Sequence, residues 1–323
     1  MSDSQNLIVF PDLSGALNLK QLILRHCIGL YKIHASLGVL KQLIRLDLNG
    51  CNNISGLPDI ICSLMSLKTL DLSGCTKLDK LPENIGNVES LEELYVSETA
   101  VRGLPSSIIL LKNLKKLSFS GCDFLLSKPP NNFLNFPLLQ RSRLEPMGML
   151  LRTLSGLSSL IDLNLSYCNI GAVPDVIGCL SSLSYLNLRG NNLVCLPKNI
   201  IRLSKLDFLN LSGCTDLRLL PELPLNIKYI EAEGCSSLET LPLRPEADFR
   251  PHLYLINCVK LIDNQGYGDM FSTMLTRYIQ VSILSLSLSL SLSLSLSLSL
   301  SKHVDLCVSE ARFRLPKFYY TWE

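Results

Sequence analysis

Leucine and isoleucine recur along this chain with a fixed period. The pattern L-x-x-L-x-L-x-x-C/N-x-L starts at intervals of 24, 24, 24, 23, 46, 23, 23 and 21 residues. Within each copy the leucines alternate with polar residues, which predicts a short strand with one apolar face. A single copy could not bury that face alone, so the period predicts a stack of coils. The copies start at Leu19, Leu43, Leu67, Leu91, Leu114, Leu160, Leu183, Leu206 and Ile227.

The second half of each copy predicts short helical turns. After the start at Leu67, the residues Leu78, Leu81 and Ile85 follow at spacings of three and four, which suit helical or 3₁₀ turns. A Leu-Pro or Val-Pro step recurs there, where no strand ladder needs the missing N–H. Strands lie ~4.8 Å apart and helical turns are wider, so the stack must curve. The sequence predicts an α/β leucine-rich-repeat solenoid of about nine or ten coils in residues 1–243, with a parallel β-sheet on the concave face and short helical or 3₁₀ turns on the convex face.

The interval of 46 residues is twice the ordinary period and has two interpretations. It fits a degenerate coil between Leu125 and Ser159 that matches the pattern only weakly, and this is the interpretation that we expect. It also fits a solvated loop, because the segment from Ser127 to Phe133 (SKPPNNF) is rich in turn-forming residues.

Cysteine dominates the ninth position of the repeat, just after the strand. Cys, Thr and Asn exchange there, and all three are small residues that can hydrogen-bond, which indicates a structural role where the backbone turns inward. The residues form a file along the solenoid, and the sequence has no C-x-x-C pair and no clustered histidines, so we expect neither a metal site nor disulfides. The ninth residues are Cys27, Cys51, Cys75, Thr99, Cys122, Cys168, Asn191, Cys214 and Cys235.

The sequence contains no catalytic or cofactor-binding motif. Phosphate-binding glycine loops, the H-E-x-x-H pair and the G-x-S-x-G turn are all missing, so we expect neither an enzyme nor a cofactor. Carboxylates on the predicted concave face, such as Asp71 and Asp162, fit solvated strand residues better than an acid–base pair. With 30 basic and 28 acidic residues the formal net charge is +2, which predicts neither nucleic-acid nor membrane binding.

The first residues, MSDSQNLIVF, lack the pattern of a secretory signal, which favours a cytoplasmic or nucleocytoplasmic location. Three N-glycosylation sequons, at Asn53, Asn164 and Asn210, are chance matches under this interpretation.

Binding by a curved solenoid belongs to its concave strand face. The outward residues there mix both charges, which favours a protein partner over a polyanion. The third position of the last three copies is aromatic (Tyr185, Phe208, Tyr229), and Tyr167 lies close by. Stacked at strand spacing, these rings would form a column that either anchors a partner or steadies the sheet. The candidate protein-binding residues are Arg45, Asp47, Asp71, Glu93, Tyr95, Asp162, Tyr167, Tyr185, Arg189, Phe208, Tyr229 and Glu231.

The repeat form LxxLxLxxCxxLxxLPxxIxxLxS resembles that of plant intracellular disease-resistance receptors of the TIR, nucleotide-binding, leucine-rich-repeat class. The stretch from Ser4 to Leu43 looks like that family's first repeats, and secreted plant receptors normally carry GxIP where this chain has LPxxI. The stretch from Leu253 to Gln280 is similar to the segment that leads into the family's C-terminal jelly-roll or Ig-like domain.

The resemblance implies recognition of a pathogen effector or a guarded host protein, and contact with other domains of a parent receptor. Neither the TIR nor the nucleotide-binding domain lies within these 323 residues, so only recognition is carried over. A leucine-rich-repeat scaffold or adaptor without an immune role, or a non-functional receptor remnant, is the alternative.

Two segments follow the predicted solenoid. Residues 244–280 are expected to be the truncated start of the C-terminal domain, and residues 281–323 a disordered low-complexity tail. That tail opens with a strict Ser-Leu alternation, which a TC dinucleotide repeat encodes, and Gln280 to Ser282 (QVS) can be encoded by an intron-donor consensus. We therefore hypothesise a gene-model artefact or a retained intron from Val281, which continuous transcript reads across this junction would contradict. Half of the tract is serine, which argues against a membrane helix.

Overall fold

The computed structural model describes residues 2–122, 154, 156–241 and 251–263. The chain divides into two compact units, Met1–Leu261 and Ile262–Glu323. In the first unit, short parallel strands pair in chain order to form one sheet. The strands are β1 (Gln21–Ile23), β2 (Arg45–Asp47), β3 (Thr69–Asp71), β4 (Glu93–Tyr95), β5 (Lys116–Ser118), β6 (Asp162–Asn164), β7 (Tyr185–Asn187), β8 (Phe208–Asn210), β9 (Tyr229–Glu231) and β10 (His252–Tyr254). Of the second unit the structure describes only the two residues that end the helix α1 (Val259–Asp263).

Equivalent positions of successive repeats face each other across the sheet. Leu22 pairs with Leu46, Leu46 pairs with Leu70, and the register continues to the pair of Ile230 with Leu253. From β1 to β9 the middle residue of each strand is buried. Because side chains alternate along a strand, its first and third residues lie on the other face. The predicted leucine-rich-repeat solenoid with a parallel sheet is confirmed.

The outer half of most described coils contains a 3₁₀ helix. Pro58 precedes one of them with extended backbone (φ −70°, ψ 144°), so its carbonyl accepts a hydrogen bond from the N–H of Ile61 (3.0 Å) and closes the first turn. Pro105, Pro174 and Pro197 precede their helices in the same way. The recurrent Leu-Pro or Val-Pro step is therefore a start signal for the turn. The helices are η1 (Ala35–Val39), η2 (Asp59–Ser63), η3 (Ile85–Asn87), η4 (Ser106–Leu110), η5 (Asp175–Cys179) and η6 (Lys198–Arg202).

The core is a set of files of aliphatic side chains that run through the stack. Leu67, Leu70 and Leu72 of one coil are fully buried, as are Leu43, Leu46 and the other equivalents in neighbouring coils. Complete burial of a leucine side chain contributes about 1.5–3 kcal/mol. Because each coil makes its contacts with adjacent coils, the solenoid is stabilised by stacking, as the period predicts.

The eighth position of each repeat has a left-handed backbone, just before the inward turn. Glycine occupies it in most coils, as at Gly74 (φ 72°), because glycine has no Cβ to oppose a positive φ. Close packing gives a second reason, since a Cβ on Gly74 would lie 3.2 Å from the Cα of Gly50 in the coil before. The repeat pattern of leucines does not by itself predict this requirement. His26, Glu98, Tyr167 and Asn257 hold the same conformation at φ between 53° and 62°.

The sheet passes directly from β5 to β6 across the long interval. Lys116 pairs with Asp162, and the N–H of Phe119 donates to the carbonyl of Asn164 (2.8 Å). No strand can therefore lie between these two, and the expectation of a degenerate coil in the stack is wrong. Residues 123–153 lie outside the described part of the chain.

The sheet also continues beyond residue 243, where the solenoid was expected to end. His252 pairs with Tyr229, and the thiol of Cys258 donates to the carbonyl of Ala232 (3.0 Å), as a ninth-position cysteine does. The predicted boundary is thus too early. The pattern was missed because Arg250 stands where the other copies start with an aliphatic residue. The rest of the predicted C-terminal segment, residues 264–280, and the tail 281–323 lie outside the described residues.

The residues before the first predicted copy also belong to a coil. Asp3 has the left-handed backbone of an eighth position (φ 61°), and its N–H donates to the carbonyl of Arg25 (2.7 Å). Val9 then forms a bridge with Lys32, and Phe10 is buried. These contacts cover the leucine core beneath β1.

Candidate protein-binding face

The first and third residue of every strand define the concave face of the sheet. The seventh and eighth positions of the repeat border it where each strand ends. Ten of the predicted binding residues are first or third residues of strands, while Arg189 and Tyr167 lie at the border. The alternation of side chains thus brings all twelve candidates to one side of the sheet, although they span more than half of the chain.

Four rings form a continuous aromatic column on this face, from β7 to β10. Tyr185 and Phe208 are stacked, with ring centroids 4.6 Å apart and an interplanar angle of 5°. Phe208 and Tyr229 are 6.4 Å apart and tilted by 43°, and Tyr229 stacks on His252 at 5.2 Å. The predicted column is therefore confirmed as a geometric feature. His252 was missed, since the copy to which it belongs was not recognised.

Tyr167 and Arg189 form a separate pair at the border of the face. The Nε of Arg189 donates to the hydroxyl of Tyr167 (2.6 Å), and its guanidinium carbon lies 5.9 Å from the ring centroid. Tyr167 occupies the left-handed eighth position, and a Cβ on Gly190 would lie 2.3 Å from its ring. The ring therefore lies over Gly190 and beside the column, not within it.

Asp47 does not present its carboxylate to the concave surface. Its side chain is 0% exposed and lies beneath two guanidinium groups, with Nη2 of Arg25 at 2.8 Å and Nη2 of Arg45 at 2.9 Å. Its other oxygen accepts the N–H of Asn49 (3.3 Å). Asp47 is therefore a buried counter-ion that positions the two arginines. A partner could contact the arginine side chains but not the Asp47 carboxylate.

The middle of the face carries a charge cluster. Lys116 pairs with Glu93 (3.0 Å), which also accepts a bond from the Thr69 hydroxyl (3.4 Å). Burial raises the pKa of Asp162 to about 6, the neighbouring Lys116 opposes this shift, and the negative charge of Glu93 adds to it. Burial, together with the same Glu93, raises the pKa of Tyr95. Asp162 is thus an incompletely balanced carboxylate at the centre of the sheet.

Amide and carboxylate groups at the fifth position cap the backbone where the strand ends. Oδ1 of Asp71 accepts the N–H of Ser73 (2.9 Å), and Asn187 and Asn210 make the same bond to the residue two positions on. Nδ2 of Asn210 also donates to Glu231 in the next coil (2.5 Å). Burial raises the pKa of Glu231. The positive charge of Arg189 opposes this shift, and the negative charge of Glu233 adds to it. These side chains therefore face the concave surface, but some of their hydrogen-bonding atoms already bind the backbone or a neighbouring side chain.

The ninth-position cysteines link each coil to the coil before it. The thiol of Cys75 donates to the carbonyl of Leu48 (3.3 Å), and that of Cys51 donates to Leu24 (3.0 Å). Burial raises the pKa of Cys75 to about 12, so the thiol remains a protonated donor. The described cysteines remain thiols. The structural role predicted from the exchange of Cys, Thr and Asn is confirmed.

A shallow depression of about 750 Å³ lies beside the start of the strands from β5 to β9. Two of its three lysines are paired, Lys115 with Glu92 (2.6 Å) and Lys228 with Asp207 (3.1 Å). In the described ranges there is no group of three or more His, Cys, Asp or Glu that could hold a metal ion. No helix in this part of the chain has the length and apolarity that a membrane crossing needs.

This stack of coils, with hydrogen bonds from the ninth-position side chains and one exposed face of the sheet, defines a leucine-rich-repeat solenoid. Residues 31–141 match the family model described as a leucine-rich repeat region, and residues 151–193 match the one described as leucine rich repeat. The leucine-rich-repeat domain of the type III effector XCV3220 (XopL) has a similar structure, with a TM-score of 0.57 and 27% identity over 71% of this chain and 74% of that one.

The repeats are similar in sequence to those of plant disease resistance proteins. The chain is 42% identical over 125 residues to the disease resistance protein RPP2B of Arabidopsis thaliana, which covers 36% of this chain and 10% of that protein. It is 41% identical over 54 residues to the disease resistance protein RPP5 of the same plant, which covers 17% of this chain and 4% of that protein. The matched segments thus span a tenth or less of these relatives.

Proposed function

We propose that this chain is the protein-recognition module of an intracellular plant immune receptor, and that its concave face senses a pathogen effector or a guarded host protein. The observation that carries the proposal is the aromatic column formed by Tyr185, Phe208, Tyr229 and His252. Aromatic residues are enriched among those that dominate protein interfaces. The similarity to disease resistance proteins supports the immune context.

The mechanism is recognition by a preformed surface. The strands fix the backbone, and stacking restricts the rotamers of the rings, so binding would order few further side chains. The paired arginines above Asp47 and the charge cluster around Lys116 would give polar specificity at the other end of the face.

The hydrogen bonds of the sequons support an intracellular location. Nδ2 of Asn53 donates to the carbonyl of Ile28 (2.7 Å), and Nδ2 of Asn210 donates to Glu231 while its residue is 6% exposed. A glycan would replace one of the two hydrogens on either nitrogen, so each bond could persist only through the other hydrogen, and the buried Asn210 leaves little space for a sugar. Mass spectrometry of the chain purified from plant tissue tests this, since a glycan on Asn210 would contradict the intracellular proposal.

A cell-death assay tests the recognition function. The chain would be expressed in leaves with the coding regions that adjoin it in the genome and with candidate effectors. We expect Tyr185→Ala combined with Phe208→Ala to abolish the response and co-precipitation of the effector. Tyr31→Ala is the matched control, because Tyr31 is also an exposed tyrosine (52%) but lies in the outer half of its coil.

Two outcomes would contradict the proposal. A response that survives the double substitution, with the variant folded by circular dichroism, would exclude the column as the recognition surface. Partner binding that depends on the column but never triggers a defence response would favour a scaffold or adaptor without an immune role.

A further inference from the structure

Carboxylates border the aromatic column at its β7 end and beside its β9 ring. Asp162 pairs in register with Tyr185, the first ring of the column. Glu231 follows Tyr229 by two residues and so lies on the same face of β9, and Glu233 follows two residues later at the border. The rings therefore lie beside acidic groups.

Positive charge on this part of the face is already engaged. Among the described residues of the concave positions from β6 to β10, the permanent cation is Arg189, which bonds to Tyr167. Lys116, on the neighbouring β5, pairs with Glu93. Three carboxylates thus border the column against one guanidinium, and His252 is the titratable member of the column itself.

The raised pKa values of two of these carboxylates agree with the excess of negative over positive charge beside the column. Burial raises the pKa of Asp162 to about 6 and also raises the pKa of Glu231, so both groups lose water without gaining a full counter-charge. A cation brought by a partner would recover that lost stabilisation. A phosphate or another anion would worsen the repulsion, which disfavours nucleic acids and phosphorylated segments.

We propose that the aromatic column binds a basic segment of the protein partner, whose arginine or lysine side chains lie over the rings and meet Asp162, Glu231 and Glu233. Cations bind favourably over the faces of aromatic rings. Because stacking covers the facing surfaces of Tyr185 and Phe208, such a contact fits the side of Tyr185 towards Asp162 and the tilted step from Phe208 to Tyr229. Alternate side chains of an extended segment are ~7 Å apart, longer than the 4.6–6.4 Å steps between ring centroids, so two successive basic side chains on one face of the segment would span one to two rings. The inference rests on the proposed recognition function, and it adds the charge of the segment that is recognised.

The last strand offers an apolar continuation of the same surface. Tyr254 is 45% exposed, and Ile256, just after β10, is 49% exposed. An apolar side chain next to the basic residues of the segment would cover Tyr254 and Ile256. The expected ligand is therefore a mixed basic and apolar segment, not a uniformly cationic one.

The test is selection of phage-displayed random dodecapeptides on the immobilised full chain. We expect the selected peptides to be enriched about threefold in arginine and lysine, with leucine or aromatic residues beside them. Glu231→Gln combined with Glu233→Gln should weaken the best peptide roughly tenfold by fluorescence polarisation, because neutral amides keep the shape and remove the charge. Asp79→Asn combined with Glu83→Gln is the matched control, since both side chains are exposed in the outer half of a coil, so the variant removes the same number of carboxylates away from the concave face and should leave the affinity unchanged.

Several outcomes would overturn the inference. Peptides without basic enrichment, no selected binder at all, or an equal loss of affinity in the control variant would each do so. The outcome for the recognition function is separate, because it depends on the ring substitutions in the cell-death assay. If those abolish the response while no basic peptide is selected, the function stands and only the basic segment is excluded.

Discussion

The ring of Tyr185 lies face to face with the ring of Phe208 in the next coil, with centroids 4.6 Å apart and planes 5° from parallel. The two residues are separated by a full repeat, and the parallel pairing of β7 with β8 places them side by side. This contact bears on both alternatives for the column, since a ring can steady the sheet and still present an edge or face to a partner.

The stabilising part of that contact can be measured by a double-mutant cycle. We expect Tyr185→Ala and Phe208→Ala each to lower the free energy of unfolding, and a coupling energy of about 0.5–1.5 kcal/mol between them, as for other aromatic pairs. Urea denaturation of the two single variants and the double variant gives this value. A coupling energy within error of zero would mean that the stack contributes nothing beyond the separate burial of each ring.

Asn191 is expected to be more important for stability than the cysteines at the same position. Its Oδ1 accepts the N–H groups of Cys168 (3.1 Å) and Ile170 (3.0 Å), and its Nδ2 donates to the carbonyls of Leu165 and Leu188. Asn191→Ala leaves these buried groups without partners and should cost about 3 kcal/mol. Chemical denaturation measures the loss.

The matched control for Asn191 lies in the same coil. Asn187→Ala removes the bond to the N–H of Arg189 (3.0 Å), at the edge of the concave face. It should cost about 1 kcal/mol or less. Equal losses for the two variants would contradict the view that the ninth position ties neighbouring coils together.

Asp162 should make stability depend on pH. Because burial raises its pKa in the folded state from 3.8 to about 6, the folded chain binds this proton more tightly than the unfolded chain. Its contribution to stability is therefore greatest below pH 4 and falls as the pH rises to 6. We expect Asp162→Asn to raise the free energy of unfolding by about 1 kcal/mol at pH 7.5, a value reduced for partial exposure.

The low-pH arm is the control for this prediction. At pH 3.5 the carboxyl group is mostly protonated in both states, so the variant and the parent chain should unfold at nearly the same urea concentration. A variant that is equally stabilised at both pH values would show that the effect is steric and not electrostatic.

Asp47 should be sensitive to substitution although it lies on the predicted binding face. Asp47→Ala leaves the guanidinium groups of Arg25 and Arg45 without their shared counter-ion and should cost about 2–3 kcal/mol, since both arginines keep access to water. Thermal unfolding followed by circular dichroism measures this. Asp71→Ala serves as the comparison because Asp71 makes the equivalent backbone bond in the next coil. If the two substitutions cost the same, the arginine pairs add nothing to stability.

Most of the fold and much of the site could be predicted from the repeat. Once Leu46, Leu70 and Leu94 are taken as equivalent, the alternation of side chains places Arg45, Thr69 and Glu93 on the opposite face. The aromatic column follows from the same step. Position in the repeat is sufficient here because every coil has the same neighbours.

Other features could not be read from the repeat alone. Asp47 and Asp71 hold the same position, yet two arginines cover the first, because Arg25 and Arg45 come from different coils and converge on it. The direct pairing of Lys116 with Asp162 was obscured because 46 residues resemble two copies in length. His252 was missed since its copy has lost the first leucine.

By itself, the sequence determined the coil, its period, the parallel order of strands and the set of side chains on the concave face, because these depend on alternation and repetition within about 24 residues. Only the tertiary structure decided which carboxylates are covered, which rings stack and where the sheet continues. Those outcomes depend on side chains from separate coils that share one small volume, and their burial and charge are set by that shared environment.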